Sequence, residues 1–189
     1  MSAFSSPAGD DLDRDQRLML RVGEGDREAF EQLYERYGAP LMRFLHGLCR
    51  NRALAEDLVQ ETFLRAWTSA PRWQPTGRVS TWLFQIARRR LYSRHARRRM
   101  RREREAEASA RRGPEPDAAT HRLERGDERA RLERAVGRLR PKLRQVFVLI
   151  RLCGLGYAET AQILSIRPGT VKSRMAAAEA KLRDTLGAP

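Results

Sequence analysis

The stretch Tyr157-Ala158-Glu159-Thr160-Ala161-Gln162-Ile163-Leu164-Ser165-Ile166-Arg167-Pro168-Gly169-Thr170-Val171-Lys172-Ser173-Arg174 decides the fold of the second half of this chain. Tyr157 to Leu164 reads as a short helix with Ala161 and Leu164 inward. Ser165 to Pro168 interrupts the period, and a final helix follows from Gly169 to Leu186. A short helix, a turn of about four residues and a second helix make a helix-turn-helix. The second helix of such a unit enters the DNA major groove by its N-terminal end. There the backbone N–H groups of Gly169 and Thr170 can hold a phosphate. Lys172 can neutralise another, and Arg174 can pair with the edge of a guanine. An ordinary antiparallel helix pair with a solvated polar face is the plainer reading of the same pattern.

Upstream of this unit, Pro141 suits the first turn of a helix carrying Leu143, Val146, Phe147 and Ile150, with Gly154 and Gly156 ending it. Helical pattern resumes near Leu123. Before that, Arg101 to Thr120 holds charge, Ala, Gly113-Pro114 and Pro116 but no core-forming residues, which predicts a flexible linker over 101–126. The first half is helical again. Phe30, Leu33, Tyr34 and Tyr37 recur at helical spacing, and so do Leu41, Phe44, Leu45 and Leu48. The intervening Gly38-Ala39-Pro40 is expected to kink or divide that helix. Ala55, Leu58, Val59, Thr62, Phe63, Ala66 and Trp67 share one face of a third helix. A loop over Pro71 to Val79 follows, and Ser80 or Thr81 can cap a fourth helix with Trp82, Leu83, Ile86, Ala87 and Leu91 inward. Residues 1–16 read as a disordered tail. Nothing alternates with period two. The expected fold is therefore all-α: a four-helix domain over 17–100, a linker, and a helix-turn-helix domain over 127–186.

The 189 residues carry 38 Lys and Arg against 24 Asp and Glu, a net charge of +14. That excess points to a polyanionic partner. All the cations except Lys142, Lys172 and Lys181 are Arg, which binds phosphate and stacks on bases better than Lys. A G+C-rich genome inflates Arg anywhere, but it does not explain clustering. Cys49 and Cys153 sit in apolar surroundings and read as buried reduced thiols. His46, His95 and His121 have no ligand spacing, so no metal or other cofactor is expected. No apolar run approaches a membrane span, and Ser2 to Leu12 does not resemble a secretion signal, so a cytoplasmic location is expected.

Between Arg88 and Arg104 stand ten Arg and a single acid, Glu103. Trp73, Trp82, Phe84 and Tyr92 lie in or just before this run. Cations along a backbone with aromatics for unstacked bases suit single-stranded nucleic acid. Each ring also has a core reading, favoured for Trp82 and Phe84, whereas Trp73 lies in a polar loop that favours base stacking. The third helix has the opposite character: Glu56, Asp57, Gln60 and Glu61 share its outer face, either as a solvated surface or as a site for something other than DNA.

Ala55-Glu56-Asp57-Leu58-Val59-Gln60-Glu61-Thr62-Phe63-Leu64-Arg65-Ala66-Trp67 resembles the second conserved region of the extracytoplasmic-function sigma factors of the sigma-70 family. Ser80-Thr81-Trp82-Leu83-Phe84-Gln85-Ile86-Ala87-Arg88 resembles the promoter-melting region that follows it. Leu139-Arg140-Pro141 through Lys172-Ser173-Arg174, with Ala180-Lys181-Leu182, is similar to the family's C-terminal domain. The three matches occur in the family's order. The resemblance implies a promoter-recognising subunit of RNA polymerase that binds the core enzyme through the β′ coiled coil and the β flap, with an anti-sigma factor as a further partner. Glu56, Asp57, Gln60 and Glu61 would dock on the polymerase. Trp73, Arg78, Ser80, Thr81, Trp82, Arg88, Arg89 and Arg90 would hold the minus-ten element and the melted strand. Arg167, Gly169, Thr170, Lys172, Ser173 and Arg174 would read the minus-thirty-five element as duplex.

Some positions depart from the family pattern. Arg89 and Ser93 stand where Asn and Asp are common, Thr160 where an apolar core residue is usual, and Ser165 where Gly is frequent, which implies local strain. Met175-Ala176-Ala177-Ala178-Glu179 is poorer in cations than usual. No catalytic triad, phosphate loop or metal cluster marks an enzyme. A stand-alone dimeric helix-turn-helix regulator would leave the acidic helix and the Trp loop without a role. A sigma-like decoy in a partner-switching pathway would usually carry a phosphoacceptor domain, for which the chain has no room. A membrane-surface protein would need an apolar face beside the Arg run.

Overall fold

The computed structural model describes residues 9–109 and 128–187, and side chains within 14–101 and 131–187. Eight α-helices and no strand occur among the described residues: α1 Gly9–Gly23, α2 Arg27–Cys49, α3 Arg52–Ser69, α4 Val79–Ser109, α5 Glu128–Arg138, α6 Pro141–Phe147, α7 Tyr157–Leu164 and α8 Pro168–Leu186.

Helix α1 begins inside the stretch expected to be a disordered tail. Asp15, Leu18, Met19 and Val22 form its buried face. Asp15 accepts a hydrogen bond from the Tyr37 hydroxyl and pairs with Arg36 at 3.2 Å, so the start of α1 is anchored to α2. That anchor corrects the expectation for residues 9–16; residues 1–8 lie outside the described part. The turn into α2 is closed by Asp26, whose carboxylate accepts from the Ala29 N–H at 3.1 Å and from Arg21 at 2.8 Å. These two bonds, the backbone one first, hold the Asp26 carboxyl below its usual range.

Helix α2 is not divided. It runs through Pro40, with Tyr37, Pro40, Leu41, Phe44 and Leu45 all buried. Burial on several sides outweighs the one backbone bond that proline removes. Asn51 caps α3 by accepting from the Leu54 N–H at 2.8 Å. The α3 stripe Leu54, Ala55, Leu58, Val59, Thr62, Phe63 and Ala66 is buried as its period predicts. Phe30 meets Phe63 and Trp67 edge-on at 5.9 and 5.2 Å, and Phe44 meets Phe84 at 5.2 Å, so aromatic contacts join α2 to α3 and α4. Helix α4 continues to Ser109, nine residues into the expected linker. Loss of apolar period ends a packed face but not a helix, because Arg, Glu and Ala are good helix formers. The rest of that linker, 110–126, lies outside the described residues.

In the second domain α6 passes into a wide turn over Val148–Leu152, where the Cys153 N–H reaches the Val148 carbonyl at 3.0 Å. Gly154 then takes φ +72°, which a side chain would resist. Helices α6, α7 and α8 close around Val146, Leu149, Ile163, Val171 and Met175.

The two domains pack on each other. One buried apolar cluster runs through both. At Gly47 of α2, a Cβ atom would lie 2.9 Å from Val148 Cγ1 and 3.0 Å from Cγ2, so the helix surface is flush with the wide turn. Arg43 donates to the Leu152 carbonyl at 3.1 Å, and Arg144 donates back to the Leu48 carbonyl at 3.2 Å. The Cys153 thiol points at the Pro40 carbonyl, 3.6 Å away.

This joint is testable at its tightest point. Gly47→Leu is expected to drive the domains apart at a cost of about 1–3 kcal/mol for overpacking, while each domain keeps its helices. Small-angle scattering should show a larger radius of gyration at unchanged far-UV helix signal. An unchanged radius would mean that the domains do not meet at Gly47 in solution.

Candidate nucleic-acid interface

The loop between α3 and α4 begins with a tight turn over Ala70–Arg72. It places Trp73 against Trp82, with ring centroids 6.3 Å apart and planes at 57°. Both rings are half-buried. Together with Arg65, Arg72 and Arg89 they line an open cleft of about 510 Å³. The cleft therefore combines two aromatic faces with three cations. Phe84 is not part of it: it is fully buried against Phe44, in agreement with the core reading.

The other residues expected at this site separate into two groups. Arg89 is exposed. Arg78 and Arg90 are half-buried, and Arg90 lies on a second, basic cleft with Arg94, Arg97, Arg98 and Arg101. Ser80 and Thr81, by contrast, are covered, with 1% and 9% of their surface exposed. Neither caps the helix, because α4 already starts at Val79. The Ser80 hydroxyl donates to Glu159 of α7, and Thr81 Oγ1 is buried without a partner. Arg88 is also engaged across the joint: its Nε donates to Gln145 Oε1 at 3.1 Å, and its guanidinium carbon lies 5.5 Å from the Tyr92 ring centroid.

In the second domain, α7 and α8 form the expected helix-turn-helix. Ser165 adopts φ +55°, ψ +48°, the left-handed region implied by its place in the turn. Its N–H reaches back to the Gln162 carbonyl at 3.2 Å. Pro168 starts α8. Val171, Met175, Ala178 and Leu182 face inward. That period leaves Arg167, Gly169, Lys172 and Ser173 exposed and Thr170 and Arg174 half-exposed on one end of the helix. Nothing lies within 4 Å of where a Gly169 Cβ would be, so the backbone there is open to a phosphate. Thr160 is fully buried with its hydroxyl unpartnered, in the place of an apolar core residue.

The acidic face of α3 borders the basic cleft of α4, which Glu61 also lines. Glu56 pairs with Arg52 at 2.8 Å. Asp57 and Glu61 are bridged by Arg94 of α4 at 3.3 and 2.8 Å. Gln60 is exposed. Leu64, one turn beyond Gln60 and Glu61, is 65% exposed, the most exposed large apolar side chain described. Sequence reading passed over it, although its place outside the buried stripe was the available signal.

The sequence patterns of Sigma-70 region 2 and Sigma-70 region 4 match residues 33–102 and 129–182. RNA polymerase sigma factor CarQ of Myxococcus xanthus is 34% identical over 171 residues, which span 89% of this chain and 95% of CarQ. The chain belongs to the extracytoplasmic-function sigma factors of the sigma-70 family. The sigma factor SigK of Mycobacterium ulcerans (strain Agy99) is 30% identical over 189 residues, 98% of this chain and all of SigK. Among solved structures, CnrH in complex with the cytosolic domain of CnrY superimposes with a TM-score of 0.69 at 25% identity, covering 93% of this chain and 98% of CnrH. RpoE of Bartonella quintana, in complex with the anti-sigma factor NepR, gives 0.66 at 29% identity, covering 84% and 97%. The sigma factor is thus a promoter-recognising subunit for RNA polymerase, and the stand-alone regulator and decoy readings are not favoured.

Within this sigma factor the two aromatic environments should separate by stability. Phe84→Ala is expected to lower the unfolding free energy by about 3–5 kcal/mol, as for a buried ring. Trp73→Ala, which mainly forfeits a tilted ring contact, is expected to cost about 1 kcal/mol. Urea unfolding followed by circular dichroism measures both. An equal loss for Trp73→Ala would make it core and not a base platform.

Proposed function

We propose that the three surfaces divide the work of initiation. The outer face of α3, with Glu56, Asp57, Gln60 and Glu61 around Leu64, docks on the polymerase β′ coiled coil. Such a face offers a partner one apolar side chain to cover and carboxylates that can pair with its cations. The cleft of Trp73 and Trp82 takes an unstacked base of the minus-ten element, and Arg89 and Arg90 follow the strand that leaves it. Helix α8 reads the minus-thirty-five duplex through Arg174, with Lys172 and the α8 N-terminus on phosphates, and the second domain also meets the β flap. The observation that carries this reading is the pairing of Trp73 with Trp82 in an open, Arg-lined cleft at the start of α4.

Melting on this view needs no catalytic group. The cleft binds the unstacked base, the duplex cannot present it, and the difference in affinity shifts the equilibrium. Base–aromatic stacking of about 1–3 kcal/mol per base is a large part of what one base pair costs to open. The protein acts as a binding subunit and not as an enzyme, in the cytoplasm where core polymerase resides. No described helix is long and apolar enough to cross a membrane. An anti-sigma factor is its expected regulator, as it is for the neighbour bound to NepR.

Run-off transcription with core polymerase tests the function as a whole. Two sets of variants test the assignments. Asp57→Arg with Glu61→Arg is expected to leave the fold intact and weaken association with core by about 2–5 kcal/mol. Unchanged retention in a pull-down against core would remove α3 from the interface. For the DNA surfaces, Trp73→Ala should lose strand opening, read as permanganate reactivity of promoter thymines, and stay impaired on a pre-melted bubble. Arg174→Ala should lose about 1–3 kcal/mol at its cognate base and be largely rescued by that bubble. Equal responses to the bubble would overturn the division of labour.

A further inference from the structure

Helix α1 backs the loop that carries Trp73 and meets it at both ends. At the start of the loop, a Cβ atom on Gly23 would lie 2.9 Å from the Ala70 carbonyl oxygen, so α1 is flush with the opening turn. Two turns back along the helix, about 10 Å away, the Gln16 side-chain amide reaches the other end. It donates to the Gly77 carbonyl at 3.1 Å and, less closely, to the Pro75 carbonyl at 3.4 Å. One amide NH2 carries two hydrogens, so a single side chain can serve both carbonyls.

These bonds fall where packing does little to hold the loop. Pro75, Thr76 and Gly77 are exposed, and nothing lies within 4 Å of where a Gly77 Cβ would be. The Thr76 N–H donates to the Gln74 carbonyl at 2.8 Å, which closes a tight turn within the loop. The two carbonyls bound by Gln16 bracket Thr76, and Gln74 and Thr76 line the cleft beside Trp73 and Trp82. Fixing those carbonyls therefore fixes one polar wall of the cleft.

The fold does not require the Gln16 bonds. Leu18, Met19 and Val22 already bury the inner face of α1, and Asp15 ties its start to Tyr37 and Arg36. Hydrogen bonds open to water, as both of these are, add little to stability. What they set is the place of Gln74 and Thr76 relative to the two rings. Stacking on a ring tolerates any base, because every base has a π-face. Telling one base from another needs hydrogen bonds to its edge, and Gln74 and Thr76 supply donors and acceptors on the loop side of the cleft.

We infer that Gln16 is a positioning residue for base selection: through it, α1 holds the wall of Gln74 and Thr76 where an unstacked base on Trp73 and Trp82 is read by its edge. This deepens the proposed function and rests on its assignment of the cleft to a base of the minus-ten element. Gln16 does not line the cleft and acts through the loop.

The test uses holoenzyme assembled from core polymerase and the full chain, with a library of pre-melted bubbles whose unpaired strand is randomised. Sequencing retained templates against the input gives the base preference at each position. Trp73→Ala marks the position that the cleft reads. Gln16→Ala is expected to flatten the preference at that same position about tenfold, the worth of one hydrogen bond to the base. Gln16→Glu, which keeps the length but replaces the donor with a carboxylate, is expected to do the same. Gln16→Lys, which restores an N–H donor, is expected to keep the preference. Circular dichroism and association with core check that the variants stay folded. A preference that survives in Gln16→Ala and Gln16→Glu overturns the inference. So does a uniform loss of retention with the preference intact, which would make Gln16 a structural support only, and so does flattening by Gln16→Lys. A Trp73→Ala holoenzyme with every preference unaltered overturns instead the base cleft on which the inference rests.

Discussion

Helix α2 is the member on which both domains are built. One side of it receives α1, α3 and α4, and the other receives the wide turn after α6 together with α5 and α6. Besides Gly38, two residues that disfavour helix, Pro40 and Gly47, lie in its interior, and intrinsic propensity alone sets about 3 and 1 kcal/mol against these two. Both sit at the joint. The Pro40 carbonyl meets the Cys153 thiol, and the missing side chain of Gly47 lets Val148 close on the helix. The helix survives them because its own faces are buried on more than one side, and the interdomain contact uses the space they leave.

Beneath this apolar joint runs a band of buried polar groups. Tyr37 donates to Asp15, and desolvation first, then that bond, pushes its phenol well above the usual tyrosine range. Arg36 balances Asp15 from the side. The α1 end of the band therefore has a cation for its carboxylate, whereas Glu159 at the α7 end has only the Ser80 hydroxyl. The paired end fixes α1 to α2 within the first domain. The unpaired end falls between the domains. The ion-paired carboxylate thus lies within the first domain, and the partly paired one lies between the two.

Much of the fold could be read from periodicity, because a stripe such as Leu54 to Ala66 repeats what the helix geometry demands. The turn at Ser165 and the start of α8 at Pro168 were legible for the same local reason. What escaped was set by distant partners. The extent of α1 depends on Asp15 meeting Tyr37, 22 residues away, and the covering of Ser80 depends on Glu159, 79 residues away. The length of α4 was misjudged because its outer part has no packed face to betray it. At the candidate site, sequence placed Trp73, Trp82 and the α8 residues on usable surfaces, yet it could not foresee that Ser80, Thr81 and Arg88 would face a second domain.

The same distinction changes the meaning of the charge. A net +14 reads as a nucleic-acid footprint, but some of the Arg that produce it act as structural donors. Arg43, Arg88 and Arg144 each reach across the joint to a neutral oxygen, and Arg94 spans two carboxylates of α3. Arg144 is desolvated enough that its guanidinium is held below its usual range, with Arg50 adding to the effect. A planar group with five donors suits these tasks better than an ammonium, which gives the scarcity of Lys a structural cause besides codon usage. Arg89, Arg97, Arg98, Arg167 and Lys172 remain exposed on α4 and α8. The net charge therefore overstates the cationic surface that the closed chain leaves exposed among its described residues.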